Sequence, residues 1–131
     1  MNIKLDKILA EISAGELIDK LTILEIKQIK IGNKDKLANI EKELKSLTGT
    51  LKKFIPNTSE ILEYKYNLKQ INLKLWDIED GKRLAEKNKD FGEKFIELAR
   101  NVYRFNDQRA KIKLAINNTL GSNIKEIKSY E

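Results

Sequence analysis

The stretch TSEILEYKYNLKQINLKLWDIED at residues 58–80 decides the fold of this chain. Its apolar side chains recur at intervals of three and four residues, and they are Ile61, Tyr64, Leu68, Ile71, Leu75 and Ile78. This spacing follows the turn of an α-helix, so these side chains line one face. A second apolar stripe on the same helix consists of Leu62, Tyr66, Leu73 and Trp76. A helix that is apolar on two sides packs against two neighbours or against a partner chain.

Three further segments show helical spacing. The segment before this stretch repeats the alternation at Leu37, Ile40, Leu44, Leu47, Leu51 and Phe54. Such a seam is typical of a helical hairpin or a coiled coil, and Pro56 ends it. An earlier apolar arc consists of Leu17, Ile18, Leu21, Leu24 and Ile29. The last segment carries Phe95, Leu98, Val102, Phe105, Ile112, Ile116 and Leu120. Gly121 then closes that helix.

Short polar segments containing glycine or asparagine mark the ends of these helices. Ser13-Ala14-Gly15-Glu16 and Asp90-Phe91-Gly92-Glu93 each fit a capping box, in which two side chains satisfy free backbone N–H groups. Gly32-Asn33 separates the first two helices, and residues 57–60 begin the third. The chain therefore has four predicted helices with short connections.

We predict an all-α fold, an antiparallel four-helix arrangement dominated by a long helical hairpin at about 59–88 and 91–120. The length fits a single helical domain over residues 1–131. Residues 1–12 and 122–131 are terminal segments whose conformation the pattern leaves open.

The composition removes several classes of chemistry. The 131 residues include no Cys and no His. Their absence excludes disulfides, thiolate metal sites, thiol nucleophiles and the commonest general base. The sequence contains no Walker-type loop, nucleophile elbow or dinucleotide fingerprint. We therefore expect no cofactor, no metal site and no catalytic residue, and the chain is more typical of a binding protein than of an enzyme.

The formal net charge is +6, from 26 Lys and Arg against 20 Asp and Glu. Most of these cations are lysines, whereas base recognition in nucleic acids favours arginine. The lysines are also interleaved with acids, as in Glu41-Lys42-Glu43. Nucleic acid therefore stays an alternative partner that the charge alone does not favour.

The apolar segments and the N-terminus predict a location. No apolar run approaches the roughly 20 residues of a membrane span. Residues 1–6 lack the basic-then-apolar order of a signal peptide. We expect a cytoplasmic protein with no membrane partner.

Polar residues interrupt the apolar faces at a few positions, and these are the candidate binding residues. Helical spacing predicts an apolar residue at position 109, but the residue there is Arg109. Glu25 falls inside the first apolar arc, and Glu79 lies one turn beyond Leu75. Burying such charges is costly unless they pair. The candidate polar cluster consists of Arg109, Asn106, Glu25, Glu79, Lys20, Lys113 and Asp80.

Three interpretations of this cluster are open. In the first, Arg109 pairs with Glu25 or Glu79 in an ion-pair network that fixes the helix register. In the second, Arg109 faces a pocket in the bundle and binds a carboxylate or phosphate group, with other polar residues of the cluster assisting. In the third, the acidic residues of the cluster hold a hard divalent ion through oxygens alone.

Several blocks of the sequence resemble a small bacterial family of all-helical proteins classed as a domain of unknown function. The blocks are SAGELIDKLTILEIK at 13–27, LWDIED at 75–80 and LARNVYRFNDQRAKIK at 98–113. The ending from Gly121 to Ser129-Tyr130 also resembles the family, which predicts a tail that folds back on the bundle. Ala14 and Gly81-Lys82 depart from the family pattern, where a proline and a more apolar pair are expected. The resemblance implies the fold and the candidate residues, and it implies no chemistry.

These observations favour a non-enzymatic helical interaction or small-anion-binding protein. We expect its polar cluster to surround Arg109, and we expect it to self-associate through the second apolar stripe of the long helix. The alternative is an all-helical enzyme that stabilises a carboxylate or phosphate substrate by electrostatics alone. A second alternative is a nucleic-acid-binding accessory protein, whose affinity would fall steeply with salt.

Overall fold

Four α-helices make up the regular structure of residues 3–128, the part of the chain that the computed structural model describes. They are α1 (Ala14–Lys30), α2 (Lys34–Phe54), α3 (Ser59–Lys87) and α4 (Glu93–Leu120). No strand occurs among these described residues, so the all-α prediction is confirmed. The hairpin formed by α3 and α4 agrees with the predicted ranges to within two residues at each end. No helix in this part of the chain has the length and apolar character needed to cross a membrane.

The helix N-termini follow the predicted signals only in part. Ser13 Oγ accepts a hydrogen bond from the Glu16 N–H at 3.1 Å, as a capping box requires. The reciprocal bond is replaced, because the Glu16 carboxylate takes Lys113 as its partner at 2.7 Å. The capping box predicted before α4 is wrong. Gly92 is the N-cap there and has no side-chain bond, while Asp90 Oδ1 accepts the Gly92 N–H in a local turn.

The short first helix, α1, lies at the centre of the molecule and contacts each of the other three helices. Its buried residues are Gly15, Leu17, Ile18, Asp19, Leu21, Thr22, Leu24 and Ile26. In contrast, α2 packs along α1, and its buried residue is Ile40. The bundle is therefore asymmetric, with α1 enclosed between α2 on one side and the α3–α4 hairpin on the other.

A glycine allows α1 to approach α4 closely. A Cβ atom at Gly15 would lie 2.5 Å from the backbone oxygen of Lys113, well inside van der Waals contact. The Gly15 N–H instead donates to Asn117 Oδ1 at 2.7 Å. This contact fixes where the first turns of α1 meet the last turns of α4, and so it positions the polar groups that follow on both helices.

The tail after α4 returns to the start of α1 over residues 122–128. Ser122 Oγ accepts a hydrogen bond from the Ala14 N–H at 3.1 Å, and Asn123 Nδ2 donates to Glu11 Oε2 at 2.6 Å. This part of the tail lies against the bundle. Ser129 and Tyr130, which the family resemblance singled out, lie outside the described residues.

Candidate functional site

The polar centre of the molecule is Asp19 on α1, a side chain with no solvent exposure. Arg109 of α4 donates to both of its carboxylate oxygens, through Nε to Oδ1 at 2.9 Å and through Nη2 to Oδ2. This two-pronged geometry is the strongest form of a guanidinium–carboxylate contact. The pair joins the central helix to the last helix.

Two neutral side chains complete the surroundings of Asp19. Asn72 of α3 donates through Nδ2 to Asp19 Oδ1 at 2.9 Å and to Thr22 Oγ1 at 2.8 Å. The Thr22 hydroxyl donates to the backbone oxygen of Asp19 at 2.7 Å. Among the described residues, every buried side-chain nitrogen and oxygen has a hydrogen-bond partner. The buried charge is thus paired and fully hydrogen-bonded, the condition under which burial is tolerated.

The Asp19 contact also fixes the protonation of its partner. The hydrogen bond with Asp19 raises the pKa of Arg109 above its ordinary value and outweighs the opposing effect of burial. Glu16 and Glu126 add to the rise through their charges. Arg109 is therefore cationic at neutral pH.

Lys113, one turn further along α4, is a buried cation beside the half-buried Arg109. Its Nζ lies 2.7 Å from Glu16, 3.0 Å from Glu126 and 4.0 Å from Asp19. Burial lowers the pKa of Lys113. The hydrogen bonds with Glu16 and Glu126 and the surrounding negative charges raise it by more, so the net shift is upward. Lys113 is therefore a structural ammonium that three acids hold in its charged form.

Glu126 brings the returning tail into the same cluster. Hydrogen bonds from Lys128 and Lys113 lower the pKa of Glu126 from 4.5 to about 2. Its two oxygens contact the two lysines separately, at 2.7 Å and 3.0 Å. The tail is therefore attached to α4 by a bridging carboxylate.

A cleft of about 380 Å³ opens beside this network, between α1, α3 and α4. One part of its wall is apolar and consists of Ile23, Ile26, Leu75, Trp76 and Val102. The other part is polar and consists of Asn72, Glu79, Asp80, Arg83, Asn106 and Arg109. The cleft can therefore hold an organic group against the indole and a polar group against the guanidinium.

The structure brings together four of the seven candidate residues. The four that line the cleft are Arg109, Asn106, Glu79 and Asp80. Lys113 lies on α4 within the Glu16–Glu126 cluster and does not line the cleft. Lys20 is an exposed residue whose ammonium is 3.9 Å from Glu16.

The predicted partners of Arg109 are wrong. Glu25 faces α3, where it pairs with Lys65 at 2.9 Å and Lys69 at 3.3 Å. Glu79 pairs with Lys82 one turn along its own helix at 3.5 Å. Arg109 meets Asp19 instead, because the close contact at Gly15 sets the register between α1 and α4.

Asp19 and Asn72, like Glu16 and Glu126, are residues of the site that helical spacing does not predict. Asp19 stands beside the apolar arc rather than inside it, so it does not appear as an interruption. A usable signal is present nonetheless. Ile23 and Ile26 place further apolar side chains beyond the arc that begins at Leu17. A helix with apolar residues around most of its surface packs against several neighbours, so some of its polar residues are buried too, as Asp19 is while Lys20 stays exposed.

The acidic residues do not form a metal site in the part of the chain that is described. No group of three or more Asp or Glu side chains there is arranged to hold a metal ion. Glu79 and Asp80 line the cleft, whereas Glu25 does not line it and pairs with Lys65 of α3. These three carboxylates therefore do not converge on one point where they could bind an ion.

A family model described as "Family of unknown function (DUF6165)" matches residues 8–131. The chain belongs to this family, since the match covers nearly its whole length. No protein with a curated description and no solved structure matches the chain.

Proposed function

We propose that this protein is a ligand-binding domain whose cleft between α1, α3 and α4 takes a small organic anion. The observation that carries the proposal is the position of Arg109. It lines the cleft, and its hydrogen bonds to the buried Asp19 fix the orientation of its guanidinium. A guanidinium has about five N–H donors. Asp19 takes two of them, which leaves donors for a carboxylate or phosphate oxygen. Binding to a group that is already oriented costs less conformational entropy.

The charges around the cleft favour a ligand that carries more than one polar group. Arg83 contributes a positive charge, and Glu79 and Asp80 contribute negative charges. Arg109, whose charge Asp19 balances, contributes N–H donors. A ligand with an acidic group for Arg109 and an amine or hydroxyl for the acids matches this pattern. The apolar wall with Trp76 supports an organic body rather than a bare inorganic ion.

The absence of Cys and His supports binding over catalysis. The cleft then lacks the side chains that most often act as nucleophile or general base near neutral pH. Arg109 is neutralised by Asp19, so it acts mainly as an oriented hydrogen-bond donor. We propose recognition of the ligand without a chemical step.

Trp76 provides the readout for the test, because it is the single tryptophan of the chain and it lines the cleft. Titration with a panel of small carboxylates, amino acids and phosphate esters should change its fluorescence for at least one compound. Arg109→Lys should weaken that binding about tenfold or more, because lysine keeps the charge but cannot make the planar, two-pronged contact. Arg104→Lys, an exposed position on the same helix, is the control and should leave the affinity unchanged.

A second variant protects this test against a folding defect. Arg83 is an exposed residue at the cleft, so Arg83→Gln should leave the fold intact and weaken binding. No fluorescence response to any compound of the panel, or equal affinities in the wild type and both cleft variants, would contradict the proposal.

We further propose that two copies of the chain associate through the N-terminal half of α3. The supporting observation is that Leu62 and Tyr66 of the second apolar stripe are 55% and 63% exposed. The Leu62→Lys, Tyr66→Lys double variant should be monomeric by light scattering at concentrations where the wild type is larger. Tyr103→Lys, at a comparably exposed tyrosine on α4, is the control. A wild type that stays monomeric at high concentration would contradict self-association.

A further inference from the structure

Some of the charges that line the cleft are already balanced within the protein. Glu79 pairs with Lys82 of its own helix at 3.5 Å. Arg109 pairs with the buried Asp19. A ligand therefore meets Glu79 and Arg109 mainly as hydrogen-bonding groups. The remaining charged residues of the cleft wall decide which net charges the ligand carries.

The remaining charged residues of the wall are Asp80 and Arg83. Both are exposed, and neither forms an ion pair or a hydrogen bond with another residue in the described part of the chain. They are three positions apart on α3, so they are neighbours on one side of that helix. A plain anion would be attracted by Arg83 and repelled by Asp80, and a plain cation would meet the reverse. A ligand that carries both charges is attracted by both residues.

The α4 side of the cleft contributes hydrogen-bond donors. Asn106 lies three positions before Arg109 and is half-buried, and its side-chain amide has no hydrogen-bond partner among residues 3–128. The Arg109 guanidinium also has N–H groups that Asp19 does not take. The donors of α4 and the acids of α3 thus line the same cleft. A ligand between the two helices can direct a carboxylate toward α4 and an ammonium toward α3.

The rest of the cleft favours a small apolar body. Its apolar wall consists of Ile23, Ile26, Leu75, Trp76 and Val102. The cleft volume of about 380 Å³ is near the lower end of the roughly 300–1,000 Å³ that small-molecule sites occupy. This space suits a single amino acid better than a peptide or a nucleotide.

We propose that the ligand of the cleft is a free α-amino acid with an apolar side chain. This inference rests on the function proposed above and names the class of ligand for the same site. The carboxylate binds the donors of Arg109 and Asn106, the ammonium binds Asp80, and the side chain packs on the apolar wall. Both charged groups of an amino acid are ionised at neutral pH. The ligand therefore compensates Asp80 without adding net charge to the cleft.

The test compares three ligands that share one aliphatic body, with the Trp76 fluorescence of the full chain as the readout. L-Leucine carries both charges, 4-methylpentanoate lacks the ammonium, and 3-methylbutylamine lacks the carboxylate. None of them has an aromatic ring, so the tryptophan signal reports on the protein alone. Leucine should bind most tightly. Loss of the ammonium should weaken binding about three- to fivefold, the size of an exposed charge contact. Loss of the carboxylate should weaken it about tenfold, because contacts with a guanidinium are stronger.

Asp80→Asn tests the ammonium contact, and the exposure of Asp80 makes a folding defect unnecessary to consider. The variant removes both the attraction for an ammonium and the repulsion of a plain anion. At low salt, the affinity for leucine should fall about three- to fivefold, whereas the affinity for 4-methylpentanoate should rise about two- to threefold. Asp77→Asn is the matched control, at an exposed position of α3 that does not line the cleft. It should alter either affinity less than about 1.5-fold.

Two results would overturn the amino acid class and leave the cleft proposal standing. The first is that 4-methylpentanoate binds as tightly as leucine, or that other anions bind and no amino acid does. The second is a change of the same sign for leucine and 4-methylpentanoate in Asp80→Asn, which would show that Asp80 does not meet the ammonium. The absence of a response to every compound, including the wider panel of anions, would overturn both proposals.

Discussion

Of the contacts that hold the central helix α1, those with α2 and with α4 differ in character. Against α2 it forms an apolar seam, whose one buried α2 side chain is Ile40. Against α4 it adds to an apolar cluster, which contains Ile18 and Ile116, a polar contact made by the Gly15 backbone and the Asp19–Arg109 pair. An apolar seam tolerates small shifts, because dispersion and burial have little directionality. The α4 contact requires particular atoms at particular distances, so it is the one that sets the geometry of the cleft.

The largest expected change in the free energy of unfolding comes from the polar contact between α1 and α4. Asp19→Ala leaves Arg109 and Asn72 without their partner and should lower the free energy of unfolding by about 3 kcal/mol, the lower end for a broken buried pair. We choose the lower end because the Arg109 side chain is 27% exposed and water can reach it. Urea denaturation of the full chain measures the change.

The matched variant on the apolar side is Ile40→Ala, which should cost about 2 kcal/mol through lost burial and a small cavity. A larger loss for Ile40→Ala than for Asp19→Ala would reverse the comparison. It would show that α2 contributes more than the polar network to holding α1.

Two glycines extend the comparison, because substitution by alanine should lower the stability of the protein at Gly15 and raise it at Gly49. Gly15→Ala places a Cβ 2.5 Å from the Lys113 backbone oxygen, which cannot move aside without shifting α4. We expect a loss of about 2 kcal/mol, in the range for overpacking. Gly49→Ala on α2 meets no atom within 4 Å, so it should raise stability by about 0.5–1 kcal/mol through the better helix propensity of alanine.

Thermal denaturation of the two alanine variants and the wild type tests this prediction directly. If both substitutions stabilise the protein, the approach of α1 to α4 is looser than the contact geometry requires. If both destabilise it, the outer face of α2 has a partner that restricts position 49.

The smallest effect concerns the tail. The folded pKa of Glu126 is about 2, below its ordinary 4.5. The group therefore stabilises the fold fully above pH 4.5, and the contribution disappears as the pH falls toward 2. The difference in unfolding free energy between wild type and Glu126→Gln should be below about 1 kcal/mol at pH 7, because solvent screens an exposed pair.

This difference should shrink with acid and also with added salt. Guanidinium chloride would itself screen the pair, so urea is the denaturant for the measurement. A difference that grows as the pH falls would mean that Glu126 stabilises the tail in its protonated form.

The contacts of α1 with α2 and with α4 also differ in how well the sequence predicts them. The alternation from Leu37 to Phe54 predicts α2 and most of its contact face, although Phe54 at the end of the alternation is 67% exposed. Helical spacing also predicts that Arg109 is a special position, since it breaks the apolar period of α4. Spacing does not predict Asp19 as its partner, because it gives the face on which a residue lies but not the register between two faces. That register depends on Gly15, whose role appears only once α4 lies against it.

The central position of α1 has a consequence for how the chain folds. The bonds that enclose it join residues far apart in sequence, since Gly15 meets Asn117 across 102 positions and Asp19 meets Arg109 across 90. Contacts of such long range form late, because closing a long loop costs entropy before the contact stabilises anything. The α3–α4 hairpin contains contacts between residues much closer in sequence, such as Gly81 and Leu98 next to its turn, and these can precede them. During synthesis, α1 leaves the ribosome first of the four helices, yet it is enclosed only after nearly the entire chain has followed.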